Sequence, residues 1–458
     1  MSSIQSMQTA LSGLIAARKR VEVASHNIAN ATTAGYSRQQ VSQVAAGGGI
    51  VPRVFTPSPM EVGGVITIGI ERTGDQLLRN RVNVASEASG AATAASKYLT
   101  RLEGSLNEPS ESGLSTQLGV FWDAWGALGL SPDSQAARQQ VLDQADMLAY
   151  TFHRLDTETT DTLDFAAGEL TGAASEVNDL ATQVANLNAS IVSASPYSAE
   201  AADMQDQRDR IVERLSYLIG AQQTIRTDGQ AAVYVGGRLL VDNTTVATVK
   251  ATATELQWED TSSMVPSGGY VGQLHTLVNT TIPSYRTQLD GVAQKLVTDV
   301  NALHTVGADE SGSTGRIFFA PTGITAASIA LSTDPTNGVA GHPERLAAAA
   351  ATGGVNDGSN ATVLSNLADQ TNGIDDTYYA YLATIGVGTR TARSKADAQG
   401  LALQSAREDL NTVSEVNTDD ELADLTAAQR AYQASARVIT TIDEMLSDLI
   451  SNFGRVGR

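Results

Sequence analysis

Residues 27–39 read NIANATTAGYSRQ. Upstream, Ile4, Met7, Leu11, Leu14, Val21 and Ile28 fall on alternating steps of three and four residues, interrupted at Arg18 and Ser25, which is the spacing of a coiled-coil seam. From residue 27 to residue 34 the side chains are small or polar and favour helix poorly, and Gly35 can take the left-handed conformation that closes a helix. Downstream the pattern loosens into VSQV at 41–44, a glycine run at 47–49, and Pro52, Pro57 and Pro59. VGGVITIGI at 62–70 then reads as a short strand. The quoted stretch therefore separates an N-terminal coiled-coil helix, residues 1–35, from an extended linker with strands, residues 36–72.

The other end carries a matching pattern. Leu425, Tyr432, Ile439, Leu446 and Phe453 recur every seven residues, flanked by Leu422, Ile442, Leu449 and Ile450. Thr418 with Glu421 three residues later reads as a capping box. Residues 1–40 hold four basic side chains against Glu22 alone, a balance of +3, while residues 416–458 hold four arginines against seven acids, a balance of -3. Opposite charge and similar seams predict that the first helix pairs with the last, 416–458. Such a pair buries little by itself and is expected to fray until neighbouring copies cover it.

Between these ends, residues 73–221 are predicted to form a helical bundle. SPDS at 131–134 supplies a Ser N-cap with proline at the first helical position, and no further proline occurs before Pro196. Val177, Leu180, Val184, Leu187 and Ile191 make a second seam, and a third helical segment runs from about residue 199 to 218. AAVYVGGRLLV at 231–241 is a hairpin about Gly236 and Gly237, which predicts one small β domain over 222–272. Helical spacing returns over 273–306 with a kink expected at Pro283. A Gly/Ser/Thr/Asp-rich insert of loop and strand, 307–360, precedes a last bundle segment, 361–415. The predicted class is mainly α: paired terminal coiled-coil helices, a long helical bundle and an inserted antiparallel β domain.

Composition limits the chemistry. A net charge of -20 over 458 residues offers no basic stripe for nucleic acid, and the absence of Cys excludes disulfides and thiolate sites. His26, His153, His275, His304 and His342 are scattered, so no metal site is expected. Asp375-Asp376 and Asp419-Asp420 are adjacent pairs that diverge on a helix, unsuited to acid–base work. Trp122 and Trp125 read as bundle core. No catalytic residue or cofactor is expected. The first twenty residues lack a signal-peptide apolar block and no stretch is long and apolar enough for membrane insertion, so export is expected without cleavage of such a signal.

NIANATTAGYSRQ after a heptad helix resembles the axial proteins of the bacterial flagellum, the rod, hook and hook-associated family. DELADLTAAQRAYQASARVITTIDEMLSDLI at 420–450 is similar to the C-terminal signature of that family. The interior run GLSTQLGVFWDAWGALGLSPDSQAARQQVLDQADMLAYTF at 113–152 is similar to the helical domain of the subgroup that joins hook to filament. The resemblance implies a non-enzymatic structural subunit, extracellular in the flagellum, whose terminal helices self-associate into a ring or tube with the β domain outside. It implies export through the type III apparatus, a cytoplasmic export chaperone, and other axial proteins, the hook protein and a second junction protein, as neighbours. It also implies that the two seams are an assembly interface, in which Asn27 and Asn30 bridge neighbouring backbones, Gly35 permits the turn, and Tyr36 and Arg38 anchor the extended segment. A hook or distal-rod subunit, or a cell-wall hydrolase carried on flagellar-type termini, are the competing readings.

Overall fold

The computed structural model describes the backbone of residues 3–46, 63–194, 198–264, 266 and 268–453, with side chains from residue 6 to residue 451. The linker residues from Gly47 through Pro59, and Pro196, lie outside the described residues. The chain divides into two compact units: Met1–Glu87, Glu176–Thr248 and Leu401–Arg458 form the first, Ala88–Ser175 and Val249–Gly400 the second.

The first unit contains α1 (Ser3–Asn30), the antiparallel pair β1 (Gln39–Ala45) and β2 (Val65–Arg72), and the start of α2 (Gln76–Leu106). It continues with parts of two other long helices introduced below, α5, a four-stranded sheet and the final helix. Helix α3 (Leu114–Leu130) and the first part of α4 (Gln135–Ser193) belong to the second unit, the end of α4 to the first. The helix expected to start at Ser131 starts later. Pro132 sits in the preceding turn, and the Ser134 hydroxyl caps α4 by accepting from Ala137 N at 3.3 Å. The seam near its end faces inward, with Val177, Val184 and Ile191 buried. Helix α5 (Ala199–Ile219) is capped by Ser198 and closed by Gly220 in the left-handed region.

The segment expected as one β domain is two sheets. Strands β3 (Gln222–Ile225), β4 (Ala231–Val235), β5 (Arg238–Asp242) and β6 (Thr245–Val246) form one meander; β7 (Val249–Ala251), β8 (Leu256–Trp258) and β9 (Ser263–Met264) form the other. The boundary between the units falls between them, because each buries its own apolar set. Val233, Val235, Leu240 and Val241 are covered in the first sheet, Val249, Leu256, Trp258 and Met264 in the second. Gly236 and Gly237 both have positive φ, 57° and 83°, in the two-residue turn between β4 and β5 that the sequence predicts. Asn188 of α4, fully buried, donates to Ala231 O at 2.9 Å and accepts from Ala231 N at 3.0 Å, tying helix to sheet.

In the second unit α6 (Gly269–Thr276) runs through a π-helical turn, Leu277–Thr281, into α7 (Ile282–His304). Pro283, where a kink is expected, follows that π-helical turn: proline has no N–H to bond the carbonyl four residues back, and the wider turn absorbs the mismatch. Helices α8 (Ser359–Ser365) and α9 (Ile374–Ser414) follow, the latter ending in the first unit. The insert 307–360 contains no named strand. Turns recur too often for a ladder, leaving three isolated bridges, at Ala308 with Ala349, Ile317 with Gly338 and Phe319 with Leu331. It buries Phe318 and Phe319 beside Phe121 and Trp125, with Phe318 and Trp125 centroids 5.3 Å apart. Trp122 is buried too, and its indole N–H donates to Asp375 Oδ2 at 2.9 Å.

His304 sits fully buried against this cluster. Its Nδ1–H donates to Arg316 O at 2.8 Å and its Nε2 accepts from Ala347 N at 3.0 Å, an arrangement only the neutral ring can make. Burial lowers its pKa from 6.5 to about 4. The unfolded chain therefore binds a proton between these values that the folded chain excludes, so this stability is complete above pH 6.5 and is lost as pH falls toward 4. The loss amounts to about 3 kcal/mol. Thermal melts at stepped pH are expected to show the decline in wild type and a shallower one in His304→Gln; equal slopes would refute it.

Candidate assembly surface at the paired termini

The final helix, α10 (Thr418–Phe453), packs along α1 within the first unit. The buried residues along the pair are mostly small, with Ile442 the large one on α10 among the described residues. Ala10, Ala17 and Ala24 are buried on α1, Ala428 and Ile442 on α10, and a Cβ at Gly13 would lie 3.1 Å from Ser435 Oγ. Positions 10, 17, 24 and 428, 435, 442 each repeat by seven, so the helices meet along heptad ladders.

The expected seam is not that line but flanks it. Leu14, Val21, Ile28, Leu425, Ile439 and Leu446 are half-buried, while Met7, Leu11 and Tyr432 are exposed. Leu11 is 49% exposed, and Leu449 and Ile450 are 54% and 73% exposed. Moving from Leu11 to Ala10 is one residue, roughly 100° around the helix at ~3.6 residues per turn. Small side chains let the two backbones approach, and this turns the larger ones aside. The side chains of Ile4 and Phe453 lie outside the described residues.

At the base of the pair a polar node closes the quoted stretch. Asn27, 1% exposed, donates to Gln39 O at 2.9 Å and to Glu421 Oε2 at 3.0 Å. Its carbonyl oxygen accepts from Gln39 N at 3.0 Å and from the Tyr36 hydroxyl at 2.8 Å. Arg38 pairs with Glu421 at 2.6 Å and Asp424 at 3.4 Å, and Arg20 lies 3.6 Å from Asp424. The opposite charges of the two ends thus meet. Glu421 is not half of a capping box: the Asn417 side chain accepts from Asp419 N at 3.0 Å, and the Glu421 carboxylate turns inward instead. Gly35 has φ 72°, which favours glycine, and a Cβ there would come within 2.7 Å of Arg210 Cδ and displace that side chain. Asn30, at the end of α1, bonds back to His26 O at 3.0 Å in its own last turn, and among the described residues its side chain bridges no neighbouring strand.

Helix α5 supplies the rest. Asp206 accepts from Ser37 N and Ser37 Oγ, both at 2.8 Å, and Asp203 accepts from Gln39 Nε2 at 2.7 Å. Arg72 reaches Asp206 at 2.7 Å and Asp209 at 2.9 Å. Burial alone would raise Asp209, but Arg72, Arg208 and Arg79 outweigh it and hold its carboxyl below the usual range. Burial raises the Tyr36 hydroxyl, and the Asp203, Asp206 and Glu421 carboxylates add to that, so it stays a protonated donor. These acids escape a search for adjacent carboxylates, but their spacing of three residues in a helical run places Asp203, Asp206 and Asp209 on neighbouring positions of a face. Among the described residues no group of three or more histidines and acids is placed to hold a metal ion, and no helix is long and apolar enough to cross a membrane.

Three stretches match known protein families in this order: residues 7–36 the flagella basal body rod protein family, 99–319 the flagellar hook-associated protein FlgK helical domain, and 411–452 the flagellar basal body rod FlgEFG protein C-terminal family. Flagellar hook-associated protein 1 of Bacillus subtilis (strain 168) is 26% identical over 518 residues, spanning 100% of both chains. Flagellar hook-associated protein 1 of Salmonella typhimurium is 27% identical over 332 residues, 68% of this chain and 58% of that protein. The solved flagellar hook junction protein FlgK from Burkholderia pseudomallei has the same fold, with a TM-score of 0.61 at 15% identity over 73% of this chain and 100% of that one. Rod-type modules at both ends around a helical domain define a structural protein of the flagellar axis. Within that class, the chain is similar along its whole length to flagellar hook-associated protein 1 of Bacillus subtilis and matches the FlgK helical domain over residues 99–319.

Proposed function

We infer that this chain is the structural subunit that joins hook to filament in the bacterial flagellum. The observation that carries the reading is a terminal helix pair closed internally by small residues, with its larger apolar residues left on the outside and a hook-associated helical domain between the ends. An apolar row of this kind becomes buried when copies associate side by side into a ring or tube. Ile4, Met7, Leu11, Leu14, Val21 and Ile28 on α1, with Leu425, Tyr432, Ile439, Leu446 and Phe453 on α10, are the residues assigned to that interface. Asn27, Gly35, Tyr36 and Arg38 serve it by fixing where the extended segment leaves the pair, with Asn30 finishing the helix.

Hook protein below and a second junction protein above are the axial neighbours of this reading. The chain reaches them through the type III export apparatus, with a cytoplasmic chaperone covering the apolar C-terminal helix beforehand. The match over 99–319 favours the junction over a hook or distal-rod subunit, and nothing in the comparisons favours a cell-wall hydrolase. Cells deleted for this chain are expected to carry hooks without filaments and to release flagellin into the medium. Normal filaments on such cells would overturn the assignment.

A further inference from the structure

The ion pairs of α10 lie at its start, on Glu421 and Asp424. Further along, Arg430, Arg437, Glu444 and Asp448 are exposed, and among the described residues none of them makes an ion pair. Arg430, Arg437 and Glu444 repeat by seven and Asp448 follows four residues later, so they share one stripe, basic in its first half and acidic in its second. Within a single chain this arrangement is unfavourable. Glu444 and Asp448 repel each other across one turn, and Asp448 lies beside a last turn that has no basic residue to balance the negative end of the helix. Next to the stripe runs a second seam: Ala427, Ala431, Ala434, Val438, Thr441 and Met445 are spaced by alternating steps of four and three, and all are exposed. Val438 is 48% exposed and Met445 61%. Ala427, Ala434 and Thr441 each precede by one residue the ladder of Ala428, Ser435 and Ile442 that faces α1, so this seam is turned roughly 100° from that contact at ~3.6 residues per turn.

We propose that this face of α10 pairs two free copies of the chain in antiparallel orientation. A single face carrying both signs meets its own complement only through a two-fold axis, because copies related by translation present it in the same direction and cannot turn it toward each other. Parallel pairing would set Arg437 against Arg437 and Glu444 against Glu444. Antiparallel pairing with the axis near Thr440 sets Arg430 level with the second copy's Asp448 and Arg437 level with the second copy's Glu444, each to within roughly 3 Å at ~1.5 Å per residue. The two-fold repeats both contacts, so the whole stripe is neutralised on both copies. The small residues of the seam let the helices approach, and Val438 and Met445 are covered between them. Exposed ion pairs contribute little singly and are screened by salt, so the dimer is weak and salt-sensitive. Neighbours in a ring share one polarity, so the antiparallel pair belongs to the free chain and is separate from the apolar row assigned to assembly.

Sedimentation velocity of the full-length chain tests this. Wild type is expected to dimerise with a Kd of about 10 µM at ~50 mM salt, and at least about tenfold more weakly at ~0.5 M. Arg430→Glu with Arg437→Glu makes the stripe wholly acidic, and Glu444→Arg with Asp448→Arg makes it wholly basic. Each double variant alone should dimerise at least about tenfold more weakly than wild type, with its melting temperature unchanged because the sites are exposed. An equimolar mixture of the two should restore a dimer as tight as that of wild type or tighter. The proposal is wrong if wild type stays monomeric at ~100 µM, if either double variant dimerises as wild type does, or if the mixture stays monomeric. Restoration in the mixture cannot come from the apolar row, which both variants share with wild type. Bare hooks on the deletion strain remain the separate check of the junction role, and neither result decides the other.

Discussion

Replacing Leu449 and Ile450 together by aspartate leaves the isolated chain folded with its melting temperature unchanged, and filaments fail to attach. Both side chains are more than half exposed on α10, so the single molecule loses almost nothing, within about 0.5 kcal/mol. On the proposed function the same two positions, which lie between the assigned Leu446 and Phe453, would be buried when copies associate. Each apolar side chain covered there contributes roughly 1.5–3 kcal/mol, and a charge in its place adds a desolvation cost. Subunit affinity should therefore fall by at least two orders of magnitude, at about 1.4 kcal/mol per tenfold. Circular dichroism melts of the purified variant, together with filament counts by electron microscopy, check both halves. A lowered melting temperature would mean that these residues pack within the chain; normal filaments would mean that the interface lies elsewhere.

Asn27→Leu is expected to act in the opposite way, damaging the single chain first. The substitution keeps the volume but deletes an amide that makes four hydrogen bonds in a buried place. Gln39 loses its partners for both N–H and C=O, and the Glu421 carboxylate keeps only Arg38. Removing one member of a buried charged network costs about 3–5 kcal/mol. Hydrogen exchange should speed up at the Gln39 amide, where β1 begins, and urea unfolding should begin earlier. Unchanged protection at that amide would show that the node does not hold the strand.

The sequence made several features readable and left others hidden for identifiable reasons. The breaks at Gly35 and at the Gly236-Gly237 turn were legible because glycine adopts those backbone angles at the least cost. Long helices with a repeating apolar row were legible too, and so was the pairing of the two ends through opposite charge. Which side of each terminal helix faces its partner was not legible. A heptad search weighs large apolar residues, whereas the contact is built from Ala10, Gly13, Ala17 and Ala24 against Ala428 and Ser435, whose weight is small. Glu421 looked like a helix cap because spacing alone cannot reveal that Asn417 takes that task. Asp206 bonds Ser37 across 169 positions of sequence, a distance over which no local pattern carries information. The division of 222–272 into two sheets was hidden for a related reason, since short strands of similar composition do not announce which neighbour they join.

The two heptad ladders, Ala10, Ala17 and Ala24 against Ala428, Ser435 and Ile442, have one further result for how the molecule avoids mistakes. Because both repeat by seven, sliding one rod along the other by a full repeat, about 10.5 Å at ~1.5 Å per residue, restores smooth-on-smooth contact almost everywhere. The meeting of Asn27, Arg38 and Arg20 with Glu421 and Asp424 distinguishes the right alignment from its nearest impostor. A small ionic and hydrogen-bonded peg thereby sets the alignment of the chain's two ends.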